Sequence, residues 1–194
     1  MAALSFIEVA FVSGIAATLS AVAIPGTLAS LDDSRAAGAA RYVSTRLQRT
    51  RMEAITRNSS TALRFTKVAN GYTFSAYVDG NRNGVLSKDI QSGTDRAIQP
   101  AGSLGDQFPG VEFDAIPGLP AVDPTSAPPG SDPIRLGSSD MVTFTAAGTA
   151  TPGSLYICGR RNTQYVVRIF GETGKTRVLK FNARSGQWIP LSTI

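Results

Sequence analysis

The sequence predicts an α+β protein: one long N-terminal α-helix, apolar in its first half and amphipathic in its second, packs that second half against a β-rich head. Three observations carry this reading. Residues 4–25 are apolar or small throughout, with Glu8 as their only charge. Apolar residues between 36 and 54 then recur at helical spacing. From residue 61 the pattern turns to short alternating runs separated by Gly, Asn, Ser and Pro clusters, which is the signature of strands. At 194 residues the chain has room for one domain with an appended segment.

The apolar run matches a bilayer crossing, which needs about 20 residues. Residues 1–3 read as a leader remnant and residues 4–30 as a retained transmembrane and assembly helix. A cleaved secretory signal is the competing reading. It fits poorly, because there is no basic stretch before the run and the helical pattern continues beyond it rather than stopping at a small-residue cleavage site. A carboxylate inside such a span costs about 2.5 to 3.5 kcal/mol, less near the interface, so an acid there is expected to have a partner. For Glu8 the one cation available within the segment is an N-terminal amine, its own or that of an adjacent copy. The plainer alternative leaves Glu8 among lipid headgroups.

Pro25 and Gly26 can kink or locally melt a helix, and Asp32-Asp33-Ser34 reads as a fresh helix start. Ala36, Ala40, Val43, Leu47 and Ala54 then form one stripe, with Arg35, Arg41, Arg46, Arg49, Arg51 and Arg57 largely off it. The polar run Asn58-Ser59-Ser60 ends the pattern, so residues 31–60 form the amphipathic half. A helix over 4–57 would be on the order of 80 Å long. That is more than a globular domain needs, and it implies a membrane or filament stem.

The head, residues 61–194, is expected to hold strands at 62–65, 72–78, 97–99, 141–144, 154–158, 165–170 and 177–181, with one sheet face laid on the helical stripe. Residues 106–133 carry seven prolines and read as a long surface loop. Trp188 is expected to cover a sheet edge or the helix.

Composition excludes several chemistries. Histidine is absent and Cys158 is the single cysteine, so no Ser-His-Asp triad, Cys-His pair or Cys/His metal cluster can form, which excludes most hydrolase chemistry. Cys158, in an apolar run, reads as a buried small hydrophobe. Asp79, Asn81 and Asn83 before Gly84 match the opening of a calcium loop, but position twelve is Ile90, with Asp89 one short. A hairpin loop using Asn and Gly for positive φ accounts for the same residues without metal, and calcium stays the alternative.

Charge is segregated along the chain. Residues 71–140 carry four Lys/Arg against nine Asp/Glu, whereas residues 141–194 carry seven against one. Arg160, Arg161, Arg168, Lys175, Arg177, Lys180 and Arg184 could gather cations on one surface for a string of phosphates, or form a solvated face or a contact between subunits.

Ala3-Leu4-Ser5-Phe6-Ile7-Glu8-Val9, with Pro25 seventeen residues after Glu8, resembles the prepilin signal of the type IV pilin and type II secretion pseudopilin family, although Ala3 stands where that family has glycine. Arg46 to Asn58 is similar to the L-x-x-A-R-x-E-A-I-x-R-N segment of the GspH/FimT branch, with Thr50 in place of its alanine. Tyr77 to Gly84, the strand 142–144 leading to Gly148, and Thr173 to Val178 follow in the branch's order.

The resemblance implies prepilin peptidase cleavage between Ala3 and Leu4, methylation of the new N-terminus, and neutralisation of a neighbour's amine by Glu8. A mature chain starting at Met1, with the leader already absent, is the other option. It also implies a single-pass inner-membrane state, then assembly with identical or related pilins into a helical filament reaching the periplasm or beyond. Gly174-Lys175-Thr176-Arg177 resembles the G-R-x-R motif through which some FimT-type minor pilins bind DNA, with lysine in the first basic position. A membrane-anchored binding protein that never polymerises remains the reading from another class.

Overall fold

The computed structural model describes residues 5–124 and 126–191, and of residues 22–25 the backbone alone. Ala3 and Leu4, the expected cleavage pair, and the Pro25 side chain lie outside the described residues. The chain runs α1 (Phe6–Arg57), β1 (Thr61–Val68), β2 (Gly71–Val78), α2 (Ser87–Ser92), β3 (Arg96–Ala97), β4 (Gly102–Ser103), β5 (Ile134–Arg135), β6 (Met141–Phe144), β7 (Gly153–Cys158), β8 (Gln164–Ile169), β9 (Thr176–Asn182) and β10 (Gln187–Pro190).

Helix α1 continues unbroken past Pro25 and Gly26, so its 52 residues rise about 78 Å. Every described side chain from residue 5 to 31 is exposed. The head begins to pack at Asp32, and from there the predicted stripe is the buried one: Ala36, Ala40, Val43, Leu47 and Ala54 are all at most 1% exposed. Small alanines on this stripe let the sheets approach the helix axis closely. Asn58 closes the helix in the left-handed conformation (φ 49°), and the N–H of Ser59 reaches back to the carbonyl of Ala54, satisfying an otherwise orphaned acceptor.

Asp32 and Asp33 do not start a helix, which corrects the sequence reading. Both sit inside α1, and their carboxylates serve other elements. Asp32 accepts the backbone N–H groups of Arg160 (3.0 Å) and Arg161 (3.1 Å) and the Thr163 hydroxyl. Asp33 accepts the Tyr165 hydroxyl at 2.8 Å and pairs with Lys180 at 2.6 Å. Burial first, then the hydrogen bond and charge of Asp33, hold the Tyr165 phenol well above its ordinary pKa.

Two antiparallel sheets, not one, pack on α1. The first has the order β3-β2-β1-β6, with β4 also beside β2; the second runs β10-β9-β8-β7-β5. Alternation along each strand divides its side chains between two faces. Leu63, Phe65, Phe74, Val142 and Phe144 of the first sheet and Leu155, Ile157, Tyr165, Val167 and Ile169 of the second meet the α1 stripe in the main core.

The outer faces are covered as well. The loop between β2 and β3 brings Val85 and Ile90 over Ala62, Tyr77 and Met141. Residues 115–122 of the proline-rich stretch form a strap over the second sheet, seating Ala115, Ile116, Leu119 and Val122 on Tyr156, Val166 and Leu179. Double cover explains why every residue of β7 is buried and why residues 155–158 read as an unbroken apolar run. Trp188, on edge strand β10, packs against Phe181 and Tyr156 and donates its indole N–H to the Pro120 carbonyl at 3.1 Å, so it joins the strap to the sheet edge.

The sequence reading missed α2, β4, β5 and β10, and placed at 97–99 a strand that lies at Arg96–Ala97. β4 and β5, two residues each, hold too little alternation to register as a pattern.

Candidate functional site

Glu8 stands at the third position of α1, with Ser5 as the capping residue before it, and its Oε2 accepts the Ser5 backbone N–H at 2.9 Å. Within one chain the carboxylate therefore ends its own helix as half of a capping box. Around it Phe6, Ile7 and Phe11 are 89%, 73% and 69% exposed. By length and composition this part of α1 can cross a membrane.

A second group of motif residues meets at the far end of the head. Arg51 donates from Nε to the Gly148 carbonyl at 3.0 Å. Gln48 donates to the Gly174 carbonyl and to Thr176, and Ser44 shares a 2.6 Å hydrogen bond with the Thr176 hydroxyl. Gly174 has φ +60°, and a Cβ there would collide with the Gly148 carbonyl oxygen and press on the Arg51 side chain. Helix, β6–β7 loop and β8–β9 hairpin are thus locked together, and the lock fixes where Lys175 and Arg177 stand.

The candidate basic residues do not form one patch. Lys175 and Arg177 are exposed on the β8–β9 hairpin. Arg160 and Arg161 lie in the β7–β8 turn and Arg184 in the β9–β10 turn, at the opposite ends of those strands. Lys180 faces α1, where it pairs with Asp33 and lies over the Tyr165 ring. Arg168 pairs with Asp123 at 2.6 Å. Sequence reasoning missed Phe170, which is exposed and lies 5.8 Å beneath the Arg177 guanidinium. Continuing the alternation from Arg168 would have placed it on that face.

In the loop after β2, Asp79 accepts the backbone N–H groups of Asn81, Arg82 and Gly84, while Asp89 accepts the side-chain amides of Asn81 and Asn83. Asp95, which the sequence reading did not single out, spans the N–H groups of Gly80 and Leu86. Gly80 is required because a Cβ would run into the Thr94 carbonyl, and Arg82 and Gly84 take positive φ. In this geometry the carboxylates are aimed at the loop's own donors. Among the described residues no three or more His, Cys, Asp or Glu gather as a metal-binding group.

Cys158 is buried at the end of β7, its thiol donating to the Gly159 carbonyl. Burial, then the charges of Asp114, Asp32 and Glu112, push the thiol up to about 11. The thiolate is the reactive species, so alkylation of the native protein at mildly alkaline pH is expected to be far slower than that of the unfolded chain. Mass-spectrometric timing of maleimide addition checks this, and equal rates would refute it.

Residues 39–174 match the family model for the type II transport protein GspH. Among solved structures the chain is similar to the minor pseudopilin EpsH from the type 2 secretion system of Vibrio cholerae, with 18% identity over 75% of this chain and 97% of that one and a TM-score of 0.46. A second crystal structure of the Vibrio cholerae minor pseudopilin EpsH is similar at 13% identity over 84% of this chain and 99% of that one, with a TM-score of 0.41. No curated protein matches the chain.

Proposed function

The chain belongs to the GspH family of type II transport proteins, and on that premise we propose that it is a type II secretion pseudopilin, a structural subunit of a pseudopilus that polymerises through α1. The observation that carries this reading is the stem. Apart from Glu8, one helix presents apolar or small side chains on all sides over residues 6–21 and 26–31, then passes without a break into a head that buries its second half. A helix apolar all round needs a non-aqueous environment. A bilayer meets that need before assembly, and the packed stems of neighbouring subunits meet it afterwards.

On this reading the chain is a single-pass inner-membrane protein that a prepilin peptidase trims between Ala3 and Leu4, and Glu8 pairs with the amine of an adjacent subunit. Catalysis is no part of the role. Fibre yield from Glu8 variants tests polymerisation, and a membrane-anchored protein that never assembles would be indifferent to them.

A second reading, capture of DNA by a minor pilin, is favoured by one observation: Lys175 and Arg177 stand beside the exposed Phe170 ring. Two cations can contact phosphates while an aromatic face accepts a base. Reversing both charges, Lys175→Glu with Arg177→Glu, is expected to abolish DNA retention at moderate salt. Arg177→Gln alone is expected to lower the salt slope by about one. Filter binding across a salt series measures both effects, and undiminished retention in the double variant would end this reading.

A further inference from the structure

The β9–β10 hairpin carries a groove of about 610 Å³, and neither reading above uses it. Ala183, Ile189, Pro190 and Leu191 give it an apolar lining, Lys180 and Arg184 are its two cations, and among the described residues no carboxylate lines it. Ile189 is 45% exposed there, an apolar side chain that the fold of the head leaves uncovered.

The hairpin points along the stem. β9 runs antiparallel to α1, since Thr176 bonds to Ser44 and Gln48 whereas Lys180, further along the strand, pairs with Asp33 at 2.6 Å. At about 3.3 Å of rise per residue, the same direction carries Arg184 on the order of 10 Å beyond Lys180. It leads toward the exposed half of α1, where Leu28 and Leu31 face outward. About 20 helical residues cross the hydrocarbon of a bilayer, so a span that begins at Phe6 leaves residues 26–31 to rise about 9 Å. That is slightly more than the depth of one headgroup layer. Asp33 then stands at the outer boundary of the headgroups, and the tip of the hairpin lies among them.

Charge at the tip is not neutralised from within. Asp33 is already taken by Lys180 and by the Tyr165 hydroxyl. Arg184 is exposed, its backbone N–H is held by Asn182, and its side chain makes no ion pair among the described residues. Glu112 and Asp114, exposed acids near the β7–β8 turn, lie with Arg160 around a separate hollow beside Cys158. A guanidinium over an apolar groove at headgroup depth suits a lipid phosphate, and the groove offers no carboxylate to receive the ammonium of a zwitterionic headgroup. We propose that the groove of the β9–β10 hairpin binds the phosphate of an anionic phospholipid through Arg184, seating the head on the bilayer before assembly. This rests on the reading that α1 crosses a membrane.

The test reconstitutes the full chain at low density in phosphatidylcholine vesicles containing increasing phosphatidylglycerol. A fluorophore on Ser185→Cys, at the hairpin tip, reports depth through quenching by a nitroxide carried on the lipid headgroup. Thr173→Cys, in the β8–β9 turn at the other end of β9, is the control, and buried Cys158 stays largely unlabelled. Quenching at Ser185 is expected to saturate as phosphatidylglycerol rises, with none at Thr173. Arg184→Gln is expected to raise the phosphatidylglycerol fraction at half-maximal quenching about fivefold, Arg184→Lys to restore most of the loss, and Arg177→Gln, at the opposite end, to change nothing. An unquenched Ser185 probe on a chain that co-floats with the vesicles, equal quenching in phosphatidylcholine alone, or an unmoved midpoint in Arg184→Gln would each overturn the proposal while the membrane reading stands. Quenching that appears only at high chain density would assign the groove to a second copy and overturn it too. A chain that co-floats with neither kind of vesicle would overturn both readings together.

Discussion

Glu8→Ala is expected to remove the chain almost completely from sheared fibres while leaving it in the membrane fraction. Two separable effects enter. The carboxylate caps α1 by accepting the Ser5 N–H at 2.9 Å, and losing such a cap costs about 1 kcal/mol. On the proposed assembly it also neutralises a neighbour's amine in an apolar interior, and leaving that amine unpaired costs several kcal/mol. Glu8→Gln separates the two, since glutamine keeps the capping acceptor and drops the charge. If charge pairing drives assembly, both variants lose fibres alike by quantitative immunoblot. Normal assembly of the glutamine variant would reduce Glu8 to a helix cap, and normal assembly of both would remove the carboxylate from the mechanism.

Asp32→Ala is expected to give the largest loss of stability among single changes in the head. Its buried carboxylate takes two backbone N–H groups and a hydroxyl from the β7–β8 turn, and nothing in an alanine replaces them. Stranded donors put the cost at about 2 to 4 kcal/mol, a fall in Tm on the order of 10 °C for a chain of this size. Asp32→Asn keeps one acceptor oxygen and is expected to lose about half as much. Thermal melts of the detergent-solubilised chain, followed by near-ultraviolet circular dichroism, measure both. An unchanged melt in the alanine variant would mean that the turn is anchored by packing alone.

These two residues mark how far a linear reading reaches. Glu8 was legible because it is the only charge in a run otherwise apolar or small, and a cost of that kind shows in composition. Asp32 was legible only as a helix-start residue, since its partners lie about 130 positions away and the preference of aspartate for N-caps is a local statistic. The same limit governed the cations. Their clustering in sequence was plain, yet Lys180 turns toward Asp33 and Arg168 toward Asp123, and the two ends of β8 separate Arg160 and Arg161 from Lys175. The proline-rich stretch read as loop because prolines remove ladder donors. Its apolar residues are too irregularly spaced to announce that they cover a sheet.

By itself the sequence determined the long helix, its buried stripe, the main strands and the family, because each is written in local periodicity or in a contiguous motif, and burying apolar surface leaves few other ways to satisfy such patterns. The tertiary structure alone decided the division into two sheets, the strap that covers the second, and the lock of Arg51, Gly148 and Gly174. Those features depend on strand register and on contacts between residues far apart in the chain, and a pairing of that kind leaves no periodic trace in either partner.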